Sequence, residues 1–274
     1  MPKLKLFDGS TGALLLAKVP GLKSTELANL SNPGAVSEIH RAYAASGCDV
    51  ITTNTFAANA LNAEKYGYDI GEVVRIGIQL AKEAVQGTNA LVGLDIGATG
   101  KVLGDDPEEL TPERAYEIYA EIVAAAISEK PDLILIETMS SIDEAFIAYQ
   151  AARDITALPV YVTMSFAENG RTMYGATPED FAARFEASDV YAIGMNCFVT
   201  PEKGYAIFER LKASSTKPLI VQPNGYPGSV ADASAKFAKD MTRYIELGAS
   251  YVGGCCGTVP EDLKRLRGVI DAGL

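Results

Sequence analysis

The residues that point most directly to chemistry are two adjacent cysteines, Cys255 and Cys256, in the segment GGCCGT that begins at Gly253. They follow Tyr251 and Val252, which we interpret as part of a buried strand. Glycines in a tight turn let the backbone and a bound ion approach closely. Two thiols at such a turn suggest a zinc site, but a vicinal disulfide or two small buried side chains would give the same pattern.

A zinc site needs at least a third ligand, and Cys197 is the best candidate. It closes the apolar run from Val190 to Asn196, so it occupies the end of a predicted strand, as the adjacent pair does. Cys48 instead precedes its strand, and we expect it to be a buried structural thiol. His40, the single histidine, lies in an amphipathic helical segment, where we expect a packing or surface role. None of the short zinc-finger or ribbon spacings is present.

Composition and charge restrict the class of protein. The chain has 274 residues, of which 48% are hydrophobic, and single α/β barrels reach this length. A net charge of −11 argues against nucleic acid or an anionic membrane as partner, since both require a basic face. The sequence shows neither a secretory signal nor a run of about 18 apolar residues. Four cysteines without paired spacings fit a reducing compartment, so we expect a cytoplasmic protein.

The elements that must position the cysteines alternate regularly between short apolar runs and segments of helical period. Near-continuous apolar runs are typical of parallel strands that are buried on both faces. The eight strand candidates are Lys3 to Asp8, Val50 to Thr55, Leu91 to Ile96, Leu133 to Glu137, Val160 to Ser165, Val190 to Asn196, Leu219 to Gln222 and Tyr251 to Cys255. We expect helices between them.

Several helix starts are marked by proline at the first helical position, with a carboxylate in the first turn. The predicted helices run from Asn32 to about Ser46, Gly71 to Gln86, Ile142 to Arg153 and Ala231 to Leu247, and begin at Thr111, Thr177, Thr200 and Val259. Eight strands alternating with eight helices predict a (β/α)8 TIM barrel, as one domain over residues 1–274, with a doubly wound open sheet as the alternative. The longer segments 9–32, 57–70 and 97–111 are predicted loops on the carboxyl face of the barrel.

In such a barrel the strand ends converge on one mouth. These ends are Asp8 with Gly9; Thr53, Asn54 and Thr55; Asp95; Glu137; Ser165; Asn196 with Cys197; Gln222 with Asn224; and Cys255 with Cys256. Polar residues at the ends of apolar strands indicate a pocket for a small polar ligand, and three cysteines among them favour zinc. Three thiolates leave one position open, as catalytic sites do. A substrate thiol bound there would lose its proton yet remain nucleophilic, so thiol alkylation fits better than water activation.

The carboxylates of Asp8 and Glu137 end two of these strands. Each could accept hydrogen bonds that close the barrel, but we expect one or both to receive an ammonium group. The backbone amides of the turn from Gly9 to Gly12 could bind the carboxylate of the same ligand. An α-amino acid that carries a thiol would satisfy both ends of the pocket.

These segments resemble homocysteine S-methyltransferases, a family that includes the homocysteine-binding module of cobalamin-dependent methionine synthase. The matching segments, in the family's order, are FDGSTGALL from Phe7, HRAYAASGCDVITTNTF from His40, GLDIGATG from Gly93, ILIETM from Ile134, GMNC from Gly194, PN at Pro223 and GGCCGT from Gly253. They extend over almost the whole chain. The GGCC motif with an upstream asparagine-cysteine pair is highly specific.

The resemblance implies a zinc-bearing (β/α)8 barrel in which Cys197, Cys255 and Cys256 are the ligands. It also implies that homocysteine binds to zinc through its sulfur, and that its amino and carboxylate groups are held at Asp8, Gly9, Thr53 and Glu137. Asn224 matches a residue that occupies the open position of the metal before substrate arrives.

The chain also departs from its relatives. The sequence as given extends to Leu274 without the folate, cobalamin and reactivation modules of full-length methionine synthase. It contains no tryptophan, and Ala57 stands where betaine-using relatives carry an aromatic residue, which disfavours betaine as donor. Gln222 replaces the glutamate that commonly precedes the PN pair.

Our hypothesis from the sequence is a zinc-dependent S-methyltransferase that methylates homocysteine to methionine by in-line displacement. Two donors remain open: methylcobalamin carried by a partner corrinoid protein, and a sulfonium such as S-methylmethionine or S-adenosylmethionine. The alternatives are a non-catalytic zinc- or thiol-binding subunit of a corrinoid methyltransferase complex, and methyl transfer to another thiol.

Overall fold

The computed structural model describes residues 4–104, 106, 109–198 and 200–273. Its strands are β1 (Lys5–Leu6), β2 (Val50–Thr52), β3 (Leu91–Ile96), β4 (Leu133–Met139), β5 (Val160–Met164), β6 (Ala192–Asn196), β7 (Leu219–Gln222) and β8 (Tyr251–Val252). All eight predicted strands are present. Lys3, the first residue of the first predicted strand, and part of the predicted loop 97–111 lie outside the described residues.

The strands form one parallel sheet in the order β1-β8-β7-β6-β5-β4-β3-β2. A bridge between Phe7 and Val50 joins β1 to β2, and the Asp8 amide donates to the Val50 carbonyl at 3.1 Å. The sheet therefore curves back on itself, which confirms the (β/α)8 barrel and rules out the open sheet.

The helices are α1 (Thr11–Lys18), α2 (Ala28–Ser31), α3 (Pro33–Ala45), α4 (Ala60–Tyr66), α5 (Ile70–Ala84), α6 (Pro112–Ile127), α7 (Ile142–Ile155), α8 (Pro178–Glu186), α9 (Tyr205–Ser214), α10 (Val230–Glu246) and α11 (Pro260–Asp271). The starts at Thr111 and Thr177 are confirmed, because each hydroxyl accepts a hydrogen bond from a first-turn amide. The segment after Thr200 begins as a 3₁₀ turn, Pro201–Gly204, before α9.

Two segments that the sequence predicted to be loops contain helices, so that prediction was wrong. Helix α1 follows β1, capped by the hydroxyl of Ser10, and buries Leu15. Helix α4 follows β2 and is capped by the side chain of Asn59. Both are short helices of seven or eight residues, and their weak apolar period is easily read as loop.

The ends of several strands also differ from the prediction. Strand β4 continues beyond Glu137 to Met139 through a register shift, where Thr138 has a positive φ of 58°. Strands β2 and β8 end three residues earlier than predicted, since the chain turns towards the mouth of the barrel. A bulge re-aims the side chains around it, and this one lies at a predicted site residue.

Two apolar layers fix the barrel. Inside the sheet, the rings of Phe7, Tyr161 and Tyr251 pack with centroids 5.1 to 6.1 Å apart, and Tyr251 meets the other two edge to face. Between sheet and helices lies a larger core that includes Ile136 and Phe181. Because apolar side chains fill the barrel interior, the polar residues at the carboxyl ends of the strands lie above a packed apolar layer and not above an open channel. Among the described residues, none of the helices combines the length and the hydropathy of a membrane-spanning segment.

Candidate metal centre

Three of the four cysteines meet at the carboxyl end of the barrel. The Sγ atoms of Cys197, Cys255 and Cys256 all lie within 4.8 Å of one another, and those of Cys197 and Cys256 are 3.5 Å apart. Cys197 directly follows β6, and the adjacent pair follows β8. Cys48 is buried elsewhere and does not belong to this group. The structure thus brings together the three thiols that the sequence predicted and leaves the fourth outside.

The backbone around the three thiols is fixed by hydrogen bonds between neighbouring turns. Cys197 has a φ of 50°, and its amide donates to the Gln222 carbonyl at 3.1 Å. The Cys255 amide donates to Pro223, and the Cys256 carbonyl accepts from Gly225. A left-handed conformation at a non-glycine residue is uncommon and is held here by surrounding contacts. The thiols therefore sit on a rigid backbone.

The three thiols also interact through their protons. Hydrogen bonds from Cys197 and then Cys255 lower the pKa of Cys256 to about 3. Hydrogen bonding with Cys197 and Cys256, followed by burial, raises the pKa of Cys255. By themselves the three thiols thus favour a single thiolate, at Cys256, that is stabilised by its two neighbours.

The donor set fits a zinc ion. Three sulfur atoms within 4.8 Å of one another form a soft ligand set. Such a set suits zinc, whereas calcium and magnesium prefer oxygen ligands. Two further side chains close to the thiols carry oxygen atoms that lack a partner: Gln222 Oε1 and Asn224 Oδ1 are buried without a hydrogen bond from any described residue. Asn224 lines a separate cleft beside Cys256, so its predicted contact with a metal stays a prediction.

Three carboxyl groups line the same mouth of the barrel as the thiols: Asp8, Asp95 and Glu137, which we call the acidic arc. They belong to the ends of neighbouring strands: Asp8 follows β1, Asp95 lies in β3, and Glu137 lies in β4. Strand β2 lies between the first two and contributes Thr52, whose amide and hydroxyl both donate to Asp8 at 2.9 Å. The arc thus extends over four adjacent strands on one side of the mouth.

Burial changes the acidity of all three groups. It raises the pKa of Asp8 to about 7, against the opposing effect of the hydrogen bonds from Thr52. Burial, then the charges of Asp8 and Cys256, raise the pKa of Glu137 to about 8. Burial, then the charges of Glu137 and Asp8, raise the pKa of Asp95 well above its usual value. Buried carboxyl groups with pKa values shifted in this way are typical of functional sites.

One cavity of about 330 Å³ connects the acidic arc with the thiols. Among the described residues, its lining includes all three carboxyl groups and all three cysteines but no lysine, arginine or histidine. Such a cavity has negative or neutral groups on both sides and no cation of its own. It therefore favours a ligand that brings positive charge to the arc.

The two other predicted substrate residues, Gly9 and Thr53, also line this cavity. A side chain at position 9 would collide with the Thr258 hydroxyl, so the close approach of the turn after β8 requires glycine there. The Thr53 hydroxyl accepts from the Asp95 amide at 3.0 Å and lies 2.6 Å from the Thr55 hydroxyl. Its hydrogen-bonding capacity is thus directed to Asp95, and a direct contact with substrate stays a prediction.

Asn196 connects the two halves of the site, a role that the sequence did not reveal. Its Oδ1 accepts from the Thr138 amide and the Thr163 hydroxyl, while its Nδ2 donates to Glu137 Oε2 at 3.1 Å. The same Nδ2 lies 3.9 Å from the Sγ of Cys255. Only its place before Cys197 could have drawn attention to it, because the partners lie on other strands.

The rim of the cavity also contains residues that the sequence did not predict. Thr25 reaches the cavity from the segment after α1, and its carbonyl accepts from Asn54 Nδ2 at 2.8 Å. Phe56, 39% exposed, lies against Gly97, where a Cβ would collide with its ring. His40 is buried in α3 and has no part in the described metal-ligand group.

Comparisons with known proteins agree with this geometry. A family model described as Homocysteine S-methyltransferase matches residues 5–270. The metallated form of the homocysteine methyltransferase MmuM from Escherichia coli is 22% identical, with 97% of this chain and 96% of that chain covered and a TM-score of 0.84. Its apo form is 21% identical, with 97% and 95% covered and a TM-score of 0.77. At these identities the solved structures support the fold.

Proposed function

The chain belongs to the homocysteine S-methyltransferase family, and from that premise we propose that it transfers a methyl group to the thiol of L-homocysteine to give methionine. Cys197, Cys255 and Cys256 would hold a zinc ion, and Asp8 and Glu137 would bind the ammonium group of the amino acid. Gly9 and Thr53 complete the proposed substrate site.

The observation that carries this proposal is the division of one cavity into a thiol side and a carboxyl side. Homocysteine has a thiol at one end and an ammonium group at the other, so it matches both sides at once. Membership of the family supports the methyl-transfer reaction, and the groups that line the cavity support homocysteine as the acceptor. A thiol without an amino group would leave the acidic arc without a cation.

Zinc, when bound by the three cysteines, would lower the pKa of an incoming thiol and keep its sulfur nucleophilic. The residues of the chain hold the acceptor in place. Asp8 is fixed by Thr52, and Glu137 by Asn196, so both carboxyl groups have defined positions before substrate arrives. Fixed groups reduce the entropy that must be lost when two reactants are aligned.

The reaction forms a bond between the acceptor sulfur and the methyl carbon, breaks the bond between that carbon and the donor, and releases the thiol proton. No histidine lines the described part of the cavity, and the transfer of a methyl group to a thiolate requires no general base. Orientation of the acceptor is therefore the main contribution of the side chains.

Two donors fit this chemistry: methylcobalamin on a partner corrinoid protein, and a sulfonium such as S-methylmethionine or S-adenosylmethionine. They can be separated by supplying each one to the purified protein with L-homocysteine and measuring methionine. Turnover with a sulfonium alone would exclude a need for a corrinoid partner. Turnover with methylcobalamin only would assign the chain to a corrinoid system.

The proposal as a whole is tested by metal analysis under reducing conditions and by zinc-edge absorption with and without L-homocysteine. We expect one zinc per chain, with three sulfur neighbours that increase to four when homocysteine is added. A zinc coordination shell that does not change when homocysteine is added, or no zinc at all, would contradict the proposed acceptor chemistry. Neither result would affect the assignment of the fold. Methylation of other thiols at rates equal to that of homocysteine would support the alternative that another thiol is the acceptor.

A further inference from the structure

Asp95 is the one member of the acidic arc to which the proposed function gives no role. Its side chain is only 7% exposed, and its Oδ1 is buried without a hydrogen bond from any described residue. It also lines the cavity that connects the arc with the thiols. A buried carboxyl group without a partner is costly, so this atom is expected to have a partner that arrives with the ligand.

Two threonines hold the backbone of Asp95. The Asp95 carbonyl accepts from the Thr55 hydroxyl at 2.7 Å, and the Asp95 amide donates to the Thr53 hydroxyl at 3.0 Å. Because the Thr55 hydrogen is used on the carbonyl, the hydrogen of Thr53 is directed to Thr55, 2.6 Å away. Both hydroxyl groups are therefore hydrogen-bonded to the Asp95 backbone and to each other, and this network fixes the position of Asp95.

The order of the strands places Asp95 between the other two carboxyl groups. Strand β3 pairs with β2, whose Thr52 binds Asp8, and with β4, which contains Glu137. A cation that contacts both Asp8 and Glu137 must therefore pass in front of Asp95. The described lining of the cavity supplies no such cation.

We propose that Asp95 accepts a hydrogen bond from the ammonium group of the amino-acid substrate, so that each carboxyl group of the acidic arc binds one of its three hydrogens. Asp95 is then a specificity-determining residue that selects thiols with an amino group. This inference rests on the proposed function, since it assumes an amino-acid acceptor.

The electrostatics of the arc agree with this role. Burial and the charges of Glu137 and Asp8 raise the pKa of Asp95, so the arc holds its full charge only with difficulty. An ammonium group at the centre of the arc would offset this repulsion and favour ionisation of all three groups. A ligand without that group would leave the repulsion in place.

The test compares two thiols that differ only in the amino group, L-homocysteine and 4-mercaptobutanoate. Calorimetric titration of the zinc-loaded protein would measure the Kd of each for the wild type and for Asp95→Asn. We expect the substitution to weaken L-homocysteine binding by about tenfold or more, because a charge-assisted hydrogen bond is lost. The Kd of 4-mercaptobutanoate should stay within about twofold.

The control is Asp143→Asn, which makes the same change at an exposed position at the start of α7, outside the cavity lining. It should change neither Kd. If Asp95→Asn fails to fold, Thr55→Val removes one support of Asp95 and should weaken L-homocysteine binding selectively. Equal losses of affinity for both thiol compounds, or no loss of affinity for L-homocysteine, would overturn the role of Asp95 but not the proposed function. A wild type that does not bind L-homocysteine would overturn the proposed function, and this role with it.

Discussion

The thiols and the acidic arc line one cavity, but they suit different ligands. The three thiols have soft donor atoms, glycine-rich turns and partial exposure: Cys256 is exposed, and the other two are partly buried. In the arc, Asp8 and Asp95 are almost completely buried, at 1% and 7% exposure, and no described cation lines the cavity. The first arrangement suits an ion that stays bound, and the second suits a cation that enters and leaves with substrate.

This difference indicates where the fold gives up stability for function. Thiols close together are tolerated because they share hydrogen bonds, as Cys197 and Cys256 do at 3.5 Å. Buried carboxyl groups without a cation pay a desolvation cost that their few hydrogen bonds offset only in part. Sites of this kind persist because the surrounding barrel is stable enough to hold them.

The largest effect should follow from removal of one thiol. Cys255→Ala should release the metal and abolish methyl transfer, because two remaining thiols do not hold zinc tightly. Metal analysis and methionine formation would measure both. The matched control is Cys48→Ala, which changes a buried cysteine outside the group of three thiols. This variant should retain the zinc content of the wild type. Full zinc content in Cys255→Ala would contradict the ligand assignment.

The next largest effect should come from Asn196, because it contacts both regions. Asn196→Ala removes the oxygen that accepts from the Thr138 amide and from the Thr163 hydroxyl. We expect a loss of about 3 kcal/mol in the free energy of unfolding, as for other buried hydrogen-bond networks. Zinc affinity and homocysteine affinity should fall together.

Chemical denaturation and the two binding titrations would measure these changes. The exposed Asn169 accepts a hydrogen bond from the Arg171 amide, and Asn169→Ala is the control that should change little. If Asn196→Ala lowered the affinity for only one of the two ligands, the two regions would be independent, and the connecting role of Asn196 would be wrong.

The sequence was sufficient for the parts of the site that depend on strand order. Once eight apolar runs were recognised, the convergence of strand ends in a barrel brought Cys197 next to Cys255 and Cys256, although 57 residues lie between Cys197 and Cys255. Asp8 and Glu137 could be placed at the same mouth for this reason. The prediction needed only the fold class.

The remaining parts depend on backbone details that a single sequence does not encode locally. The left-handed conformations of Thr138 and Cys197 arise from contacts with other strands, and no glycine marks them. The support of Asp95 by Thr53 and Thr55 likewise requires the register of β2 against β3. Helices α1 and α4 were missed because short helices are stabilised mainly by packing.

A smaller effect tests the charge of the arc without changing its shape. Glu137→Gln can still accept the hydrogen bond from Asn196 Nδ2, so the geometry should be kept while the charge is lost. We expect L-homocysteine binding to weaken by about 10- to 100-fold, with zinc content unchanged. Glu168→Gln, at an exposed ion pair with Lys203, is the control. Zinc loss in Glu137→Gln would show that the arc and the thiols are not separate in function.

The smallest effect should be the pH dependence of stability. Burial first, and then for Glu137 the charges of Asp8 and Cys256, raise the folded-state pKa of Asp8 from 3.8 to about 7 and that of Glu137 from 4.5 to about 8. A group with a raised pKa binds its proton more tightly in the folded state. Its contribution to the free energy of unfolding is therefore complete below the unfolded pKa and is lost as pH rises through the folded value.

Between pH 6.5 and 9 the unfolding temperature of the zinc-loaded protein should fall by a few degrees. L-homocysteine should reduce this fall, since its ammonium group favours the ionised arc. Glu137→Gln should also reduce the fall, because one of the titrating carboxyl groups of the acidic arc is removed. His40 does not interfere in this window, because burial lowers its pKa to about 4 and its effect is confined to pH values below its unfolded pKa of 6.5. An unfolding temperature that rises over this range would mean that the arc already has a cation before substrate binds.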